Sequence, residues 1–235
     1  IRNCLVGSEM CIRDRNISRE EQEEFSFSSH EKAVAAREAG KFDNEIVPIT
    51  LEDGTIIDQD SGPRNPDKEK IKSLNPAFRA DGTVTAATSS PFSIGASAML
   101  ITSENFANKY GLKIRAFIEG RAVAGVNWKM FGSGPVPATK KALEKTGLSI
   151  DDIDALELNE AFAAQALYCI KKANWNPDKV NLNGGAVALG HPLGISGTRI
   201  ITTLLNVLEQ NDKNTGLATM CVGTGQGITT IIKRG

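Results

Sequence analysis

"NLNGGAVALGHPLGISGTR" occupies residues 181–199 and holds five glycines, one of the chain's two histidines and a single charged residue. Glycine removes the side-chain bulk that would bury a histidine, so backbone and imidazole both stay open to close approach. The stretch begins on "VNLNGG", which reads as a strand edge. It runs into "HPLGISGTRIITTLLNVLEQ", whose apolar residues recur at helical spacing behind a proline and predict a helix opening there. Strand, glycine loop and helix in that order form one unit of an alternating α/β chain.

The flanking sequence carries the alternation outward. On the N-terminal side, a strand near 113–119 precedes "PVPATKKALEKTG" (135–147), a helix with proline in its first turn and Gly147 at its end. "DALEL" (154–158) reads as a strand, and "NEAFAAQALYCIKKA" (159–173) as a helix that Asn159 can cap. On the C-terminal side, "GLATMCV" (216–222) and "GITTIIK" (227–233) are β-rich runs joined by "GTGQG" (223–227). Strands and helices linked through small-residue seams predict a layered α/β fold with a mixed sheet.

Further upstream, Ser18 and Glu21 have capping-box spacing, and the charged amphipathic stretch that follows predicts a helix to Ala39, stopped by Gly40. His30 lies in it between Ser29 and Glu31 and is expected on a solvated face. "EIVPIT" (45–50) reads as a short strand, and the polar segment 52–78, with Pro63, Pro66 and Pro76, as a loop-rich excursion outside the core. "TVTAATSSPFSIGASAMLITS" (83–103) turns to small residues that allow close packing or ligand approach. Residues 1–15 have no periodicity that leads into this pattern and read as a foreign leader.

Composition narrows the function. The 235 residues are 40% hydrophobic and 23% charged, enough for one large or two small domains. With 27 basic against 28 acidic residues and no basic block, electrostatic capture of nucleic acid is not expected. No apolar run nears the roughly 20 residues that cross a bilayer, and no signal-peptide order is present, so a cytoplasmic protein without membrane contact is expected. Cys4, Cys11, Cys169 and Cys221 have no CxxC spacing, which predicts reduced thiols, no metal site and no disulfide framework.

Three loops fall at strand ends, where open α/β sheets place their sites. They start at Asn159, at residues 184–191, and at Cys221. Asn159 reads as an N-cap or as a group that orients water; His191 as structural or functional; Cys221 as a small core hydrophobe or a proton carrier. "GTGQG" precedes a strand rather than a helix and fails as a dinucleotide fingerprint, and no lysine beside "GHPLGISGTR" suits a P-loop. A neutral histidine near a helix start, an asparagine and a cysteine of lowered pKa are parts for stabilising a thioester enolate.

"NEAFAAQ" (159–165), "NLNGGAVALGHPLGISGTR" (181–199) and "GLATMCVGTGQG" (216–227), in that order, closely resemble the thiolase family, and so do "ISREEQEEFSFSSHEKAVAAREAGKFDNEIVP", "GTVTAATSSPFSIGASAML" and "GSGPVPATKKALEKTGLSIDDID". The resemblance covers about residues 16–235. It implies thiolysis of 3-ketoacyl-CoA, or the reverse Claisen condensation, through a cysteine acyl-enzyme. It implies that His191 activates that cysteine and shares an oxyanion hole with a water held by Asn159. Cys221 would move the proton at the substrate α-carbon, with the backbone N–H of Gly223 in a second oxyanion hole. Ser90 would contact coenzyme A and Phe162 would lie near the pantetheine channel. No cofactor is implied beyond coenzyme A thioesters as substrates. As partners, the resemblance implies a homo-oligomer or membership of a fatty-acid oxidation complex.

The family's nucleophile lies well upstream of the ISREEQ helix, and neither Cys4 nor Cys11 sits in a segment like it. The resemblance therefore implies a thiolase truncated at its N-terminus. Residues 16–112 would be a remnant of the N-terminal domain with part of its loop region, and 113–235 the C-terminal domain, with the fragment alone inactive. A non-catalytic thiolase-like module that binds coenzyme A or a partner is the alternative of another class. Ile94 departs from the aspartate that relatives carry before the Gly-Ala run.

Overall fold

The computed structural model describes residues 11–12 and 14–235; most of the expected leader, with Cys4, lies outside the described residues. The central sheet has four strands: β3 (Ala116–Gly125), β4 (Ala155–Leu158), β5 (Thr215–Val222) and β6 (Gln226–Arg234), laid out β3-β6-β5-β4. β3 and β5 each pair antiparallel with β6, while β4 and β5 run parallel. The sheet is mixed, as the alternation of strands and helices predicts.

Alternation of side chains along the inner strands divides the core in two. Leu156, Leu158, Leu217 and Ile231 pack with Ala142, Ala166, Tyr168 and Cys169 from helices α4 (Pro135–Thr146) and α5 (Ala163–Ala173). Their strand neighbours Ala155, Ala218 and Ile232 point the other way, onto Ile200, Leu204 and Leu208 of α7 (Ser196–Gln210), which follows the one-turn helix α6 (Ala186–Leu189). Burial on both faces is why β4 and β5 read as nearly continuous apolar runs instead of alternating ones. Leu204 and Leu208 are fully buried, so truncating either to alanine should cost about 2–5 kcal/mol.

The "GTGQG" run is the hairpin turn between β5 and β6. Val222 pairs with Gln226, and the three residues between them include Thr224 at φ 68° and Gly225 at φ 95°. Left-handed backbone is what this turn requires, and it has no helix to cradle phosphate. Next in the chain, a Cβ on Gly227 would sit 2.0 Å from the carbonyl carbon of Gly134, so α4 starts directly on β6.

Helix α1 (Arg19–Glu38) has the full capping box, Ser18 and Glu21 bonding reciprocally, and Gly40 follows its end at φ 66°. The strand β2 (Ile56–Ile57), which pairs with β1 (Ile49–Thr50), and the short helix α2 (Lys68–Lys72) lie in the polar excursion, which is largely exposed. A third short helix, α3 (Glu104–Lys109), leads to β3. No helix among the described residues is long and apolar enough to cross a membrane.

Several expectations differ from the structure. His30 is 3% exposed, not solvated, with its Nδ1 buried and unpartnered; it sits on the face of α1 that packs against the rest of the chain. Only two residues of "EIVPIT" pair as strand, because that hairpin has no core to bury against. "VNLNGG" gives one isolated bridge, Val180 to Leu156, before the chain turns at Asn181, φ 48°. The helix expected from Pro192 starts at Ser196, behind a turn over 193–195. The strand near 113–119 runs instead from Ala116 to Gly125.

Candidate active site

Asn159 follows directly on β4, and its backbone N–H continues the ladder to Thr219 O at 3.0 Å. It does not cap a helix: α5 starts at Ala163 behind Phe162, and the Asn159 side chain is fully buried elsewhere. The cap reading assumed that the helix begins at once after the strand, whereas residues 159–162 form a separate loop. That loop turns Asn159 toward His191, with Nδ2 3.3 Å from the imidazole Nε2.

His191 sits behind Gly190, which takes φ 95° to turn the chain, and it is gripped on its other nitrogen by Ser196 Oγ at 2.6 Å. The Ser196 hydroxyl donates to Pro192 O at 2.8 Å. With that proton so placed, the hydroxyl is left to accept from the Nδ1–H of His191. The tautomer follows: Nδ1 carries the proton and Nε2 presents its lone pair to the Asn159 amide. Burial holds the imidazole below its ordinary pKa, with the positive charge of Arg199 adding to the effect. This is the direction of a neutral histidine, with desolvation as its first cause.

Arg199, whose charge acts on the histidine, also faces a buried carboxyl. Arg199 Nη1 is 3.8 Å from Glu157 Oε2 on β4. Burial pushes the Glu157 carboxyl up to about 8 against the pull of that arginine. Glu45 closes the other side, accepting from Asn206 Nδ2 at 2.9 Å.

The small-residue segment stitches to the same loop. Ser90 gives both its N–H and its Oγ to Ala161 O, at 3.1 and 3.0 Å, and Thr88 O accepts from Ala163 N–H at 2.9 Å. Ser89 bridges to Phe162, whose ring meets Phe78 edge-on at 6.2 Å between centroids. A Cβ on Gly190 would lie 2.4 Å from Ser93 Oγ, so this segment also lies against the histidine loop. Cys221, at 6% exposure, packs with Ala161 and Phe131 at the end of β5. Gly223 is exposed at the start of the hairpin turn. The structure thus joins Asn159 to His191 directly, and draws Ser90, Phe162 and Cys221 together through the residues around Ala161.

Against this geometry, comparison with known proteins is decisive. Residues 112–234 match the family described as "Thiolase, C-terminal domain" and residues 4–105 match "Thiolase, N-terminal domain".

The chain belongs to the thiolase family.

It is 54% identical, over 97% of its length, to a 3-ketoacyl-CoA thiolase of Vibrio parahaemolyticus, and 53% identical, over 97%, to one of Psychrobacter arcticus. It spans 61% of the length of each of these curated relatives. Among solved structures it superposes on the Bacillus anthracis acetyl-CoA acetyltransferase with a TM-score of 0.95 and 42% identity, covering 97% of this chain and 59% of that one. Human mitochondrial 3-ketoacyl-CoA thiolase in complex with CoA gives 0.96 at 38% identity, over 99% of this chain and 59% of the other. The layered α/β architecture is therefore part of the thiolase fold.

Sequence reasoning missed the residues that hold the thiolase motifs in place: Glu160, Asn181, Ser196, Arg199 and Glu157. Glu160 left a signal, a carboxylate inside the otherwise uncharged "NEAFAAQ", as did Arg199 at the end of the glycine loop.

Proposed function

We propose that this chain supplies the acid–base half of a thiolase-type acyltransferase, acting on coenzyme A thioesters by thiolysis of 3-ketoacyl-CoA or the reverse condensation. The observation that carries this reading is the Asn159–His191 pair, made by loops 32 residues apart and 3.3 Å across, with the imidazole kept neutral by burial.

In this reading a cysteine thiolate, its proton taken by His191 Nε2, attacks the 3-keto carbon. The bond between C2 and C3 breaks and its electron pair stays on C2 as the thioester enolate. Cys221 gives its proton to C2, releasing acetyl-CoA; the thiol of coenzyme A then passes its proton to the Cys221 thiolate and takes the acyl group, and the departing enzyme thiolate recovers its proton from His191. His191 and a water held by Asn159 stabilise one developing oxyanion and the backbone N–H of Gly223 another, while Ser90 and Phe162 contact the coenzyme A moiety. The thioester itself activates the acyl group, so no further cofactor is assigned.

The acyl carrier in this scheme is neither Cys11 nor Cys169. Burial pushes the Cys11 thiol up to about 12 and the Cys169 thiol well above its ordinary value, and a nucleophile must ionise near neutral pH. We assign residues 16–112 to the N-terminal and 113–235 to the C-terminal thiolase domain; the N-terminal-domain match reaches back to residue 4 and Cys11 is buried in the core, which counts against a foreign leader over residues 1–15. The acyl-carrying thiol is assigned to thiolase sequence upstream of residue 16. The whole protein is assigned to the cytoplasm as a homo-oligomer or a member of a fatty-acid oxidation complex.

The test is to join residues 16–235 to the N-terminal portion of the Vibrio parahaemolyticus relative and follow cleavage of acetoacetyl-CoA by coenzyme A. Turnover should appear in the joined protein, be negligible in the isolated chain, and be lost in His191→Ala and Cys221→Ala. Near-unchanged turnover in either variant would overturn the assignment.

A further inference from the structure

Glu160 is buried one residue beyond Asn159, and three groups donate hydrogen bonds to it. Ser29 Oγ donates to its Oε2 at 2.7 Å, Val187 N–H to the same oxygen at 3.1 Å, and Asn181 Nδ2 to its Oε1 at 2.7 Å. The Ser29 hydroxyl in turn accepts from Gly185 N–H at 3.1 Å. Three chain segments therefore close on one carboxylate: α1, the loop after β4, and the loop that ends in His191.

Asn181 cannot turn to suit a different partner. Its Oδ1 accepts from Leu158 N–H at 2.8 Å while its Nδ2 donates to Leu158 O at 2.9 Å, so strand β4 fixes which end faces Glu160. Neither does the loop have slack. A Cβ on Gly185 would lie 2.1 Å from the Glu160 carboxyl carbon, and one on Gly184 2.7 Å from Ser29 O. The glycines of "NLNGG" are there so that this loop can lie flat on Glu160 and α1. A carboxylate with three donors suits only the ionised, acceptor-only form, although burial pushes its pKa up against those bonds.

We propose that Glu160 is a positioning residue for the acid–base centre: by holding Val187 and Asn181 from the residue adjoining Asn159, it fixes the spacing between Asn159 and His191. This rests on the thiolase reading for its purpose but not for its geometry. Glu160 touches neither reacting side chain and acts only through the loop.

The test reads His191 directly, by NMR titration of the two histidines in the full 235-residue chain and its variants. Arg199 on α7 is the charge that acts on His191, and it stays in place throughout. Two effects of Glu160→Gln have opposite signs. Removing a negative charge without moving the loop lowers the His191 midpoint. Releasing the loop admits water to Nε2 and raises the midpoint toward 6.5, the ordinary value.

The proposal predicts a rise in Glu160→Gln. It also predicts a rise in Ser29→Ala, which loosens the same loop with no change of charge and serves where Glu160→Gln does not fold. A midpoint that falls or stays fixed in a folded variant overturns it. Failure of the joined protein to cleave acetoacetyl-CoA would instead count against the thiolase assignment and leave this titration readable.

Discussion

The Nδ2 of Asn159 stands 3.3 Å from the Nε2 of His191, an arrangement that suits the tautomer with the ring's proton on the far nitrogen, held by Ser196. An asparagine at the end of one strand and a histidine after a glycine loop thereby become one unit, with a lone pair facing inward.

Replacing Ser196 with alanine should release that proton. The serine is fully buried, so alanine fits, and loss of the bond should cost about 1 kcal/mol of stability. Nitrogen chemical shifts of the His191 ring should move from the Nδ1–H form toward the Nε2–H form. Unchanged shifts would contradict the tautomer assigned here.

Asn159→Asp tests the same contact from the other side. A carboxylate beside Nε2 favours the imidazolium, so the His191 midpoint should rise from its depressed value past the ordinary 6.5. A midpoint still below that value would place residue 159 away from the ring.

Buried His30 should make stability fall with acid. Its pKa is lowered from 6.5 to about 4, by burial first and then by Arg64. The unfolded chain therefore takes up a proton that the folded chain refuses. Stability is fully present above pH 6.5 and is lost as pH falls toward 4, by up to about 3 kcal/mol. In His30→Gln, denaturation midpoints measured across this window should vary less with pH; an identical pH dependence would show that His30 is accessible to protons in the folded chain.

Phe92, Ile94, Leu100 and Ile101 are 96, 104, 73 and 69% exposed on the small-residue segment. A contiguous apolar stretch of this kind promotes association. Light scattering of the isolated chain should show concentration-dependent assembly, reduced when Ile94 and Leu100 are both changed to serine. A monodisperse monomer in both proteins would favour a self-sufficient binding module.

Much of the fold was legible because its signals are local. The capping box at Ser18, the proline opening α4 and Gly147 closing it, and the paired β-runs around "GTGQG" each depend on neighbours in sequence. What was not legible depends on neighbours in space. His30 sits among charged residues in sequence yet is buried, because α1 turns that face toward the rest of the chain. Asn159 has the chemistry of an N-cap, and only the extra loop before Ala163 shows that its amide is used elsewhere. Glu160 reads as one polar residue in a motif until Ser29 and Val187, 131 and 27 residues away, close on it.

Cys221 and the Asn159–His191 pair are assigned to one thioester substrate, with Cys221 moving the proton at its α-carbon. Exchange of the methyl protons of acetyl-CoA in D2O, followed by mass, reads that step without requiring a carbon–carbon bond to break. In the joined protein, exchange should be rapid with Cys221 present and fall by about a hundredfold or more in Cys221→Ala, the scale of a lost general acid–base group. Exchange at the original rate in that variant would show that another group moves the proton and that Cys221 is only part of the core.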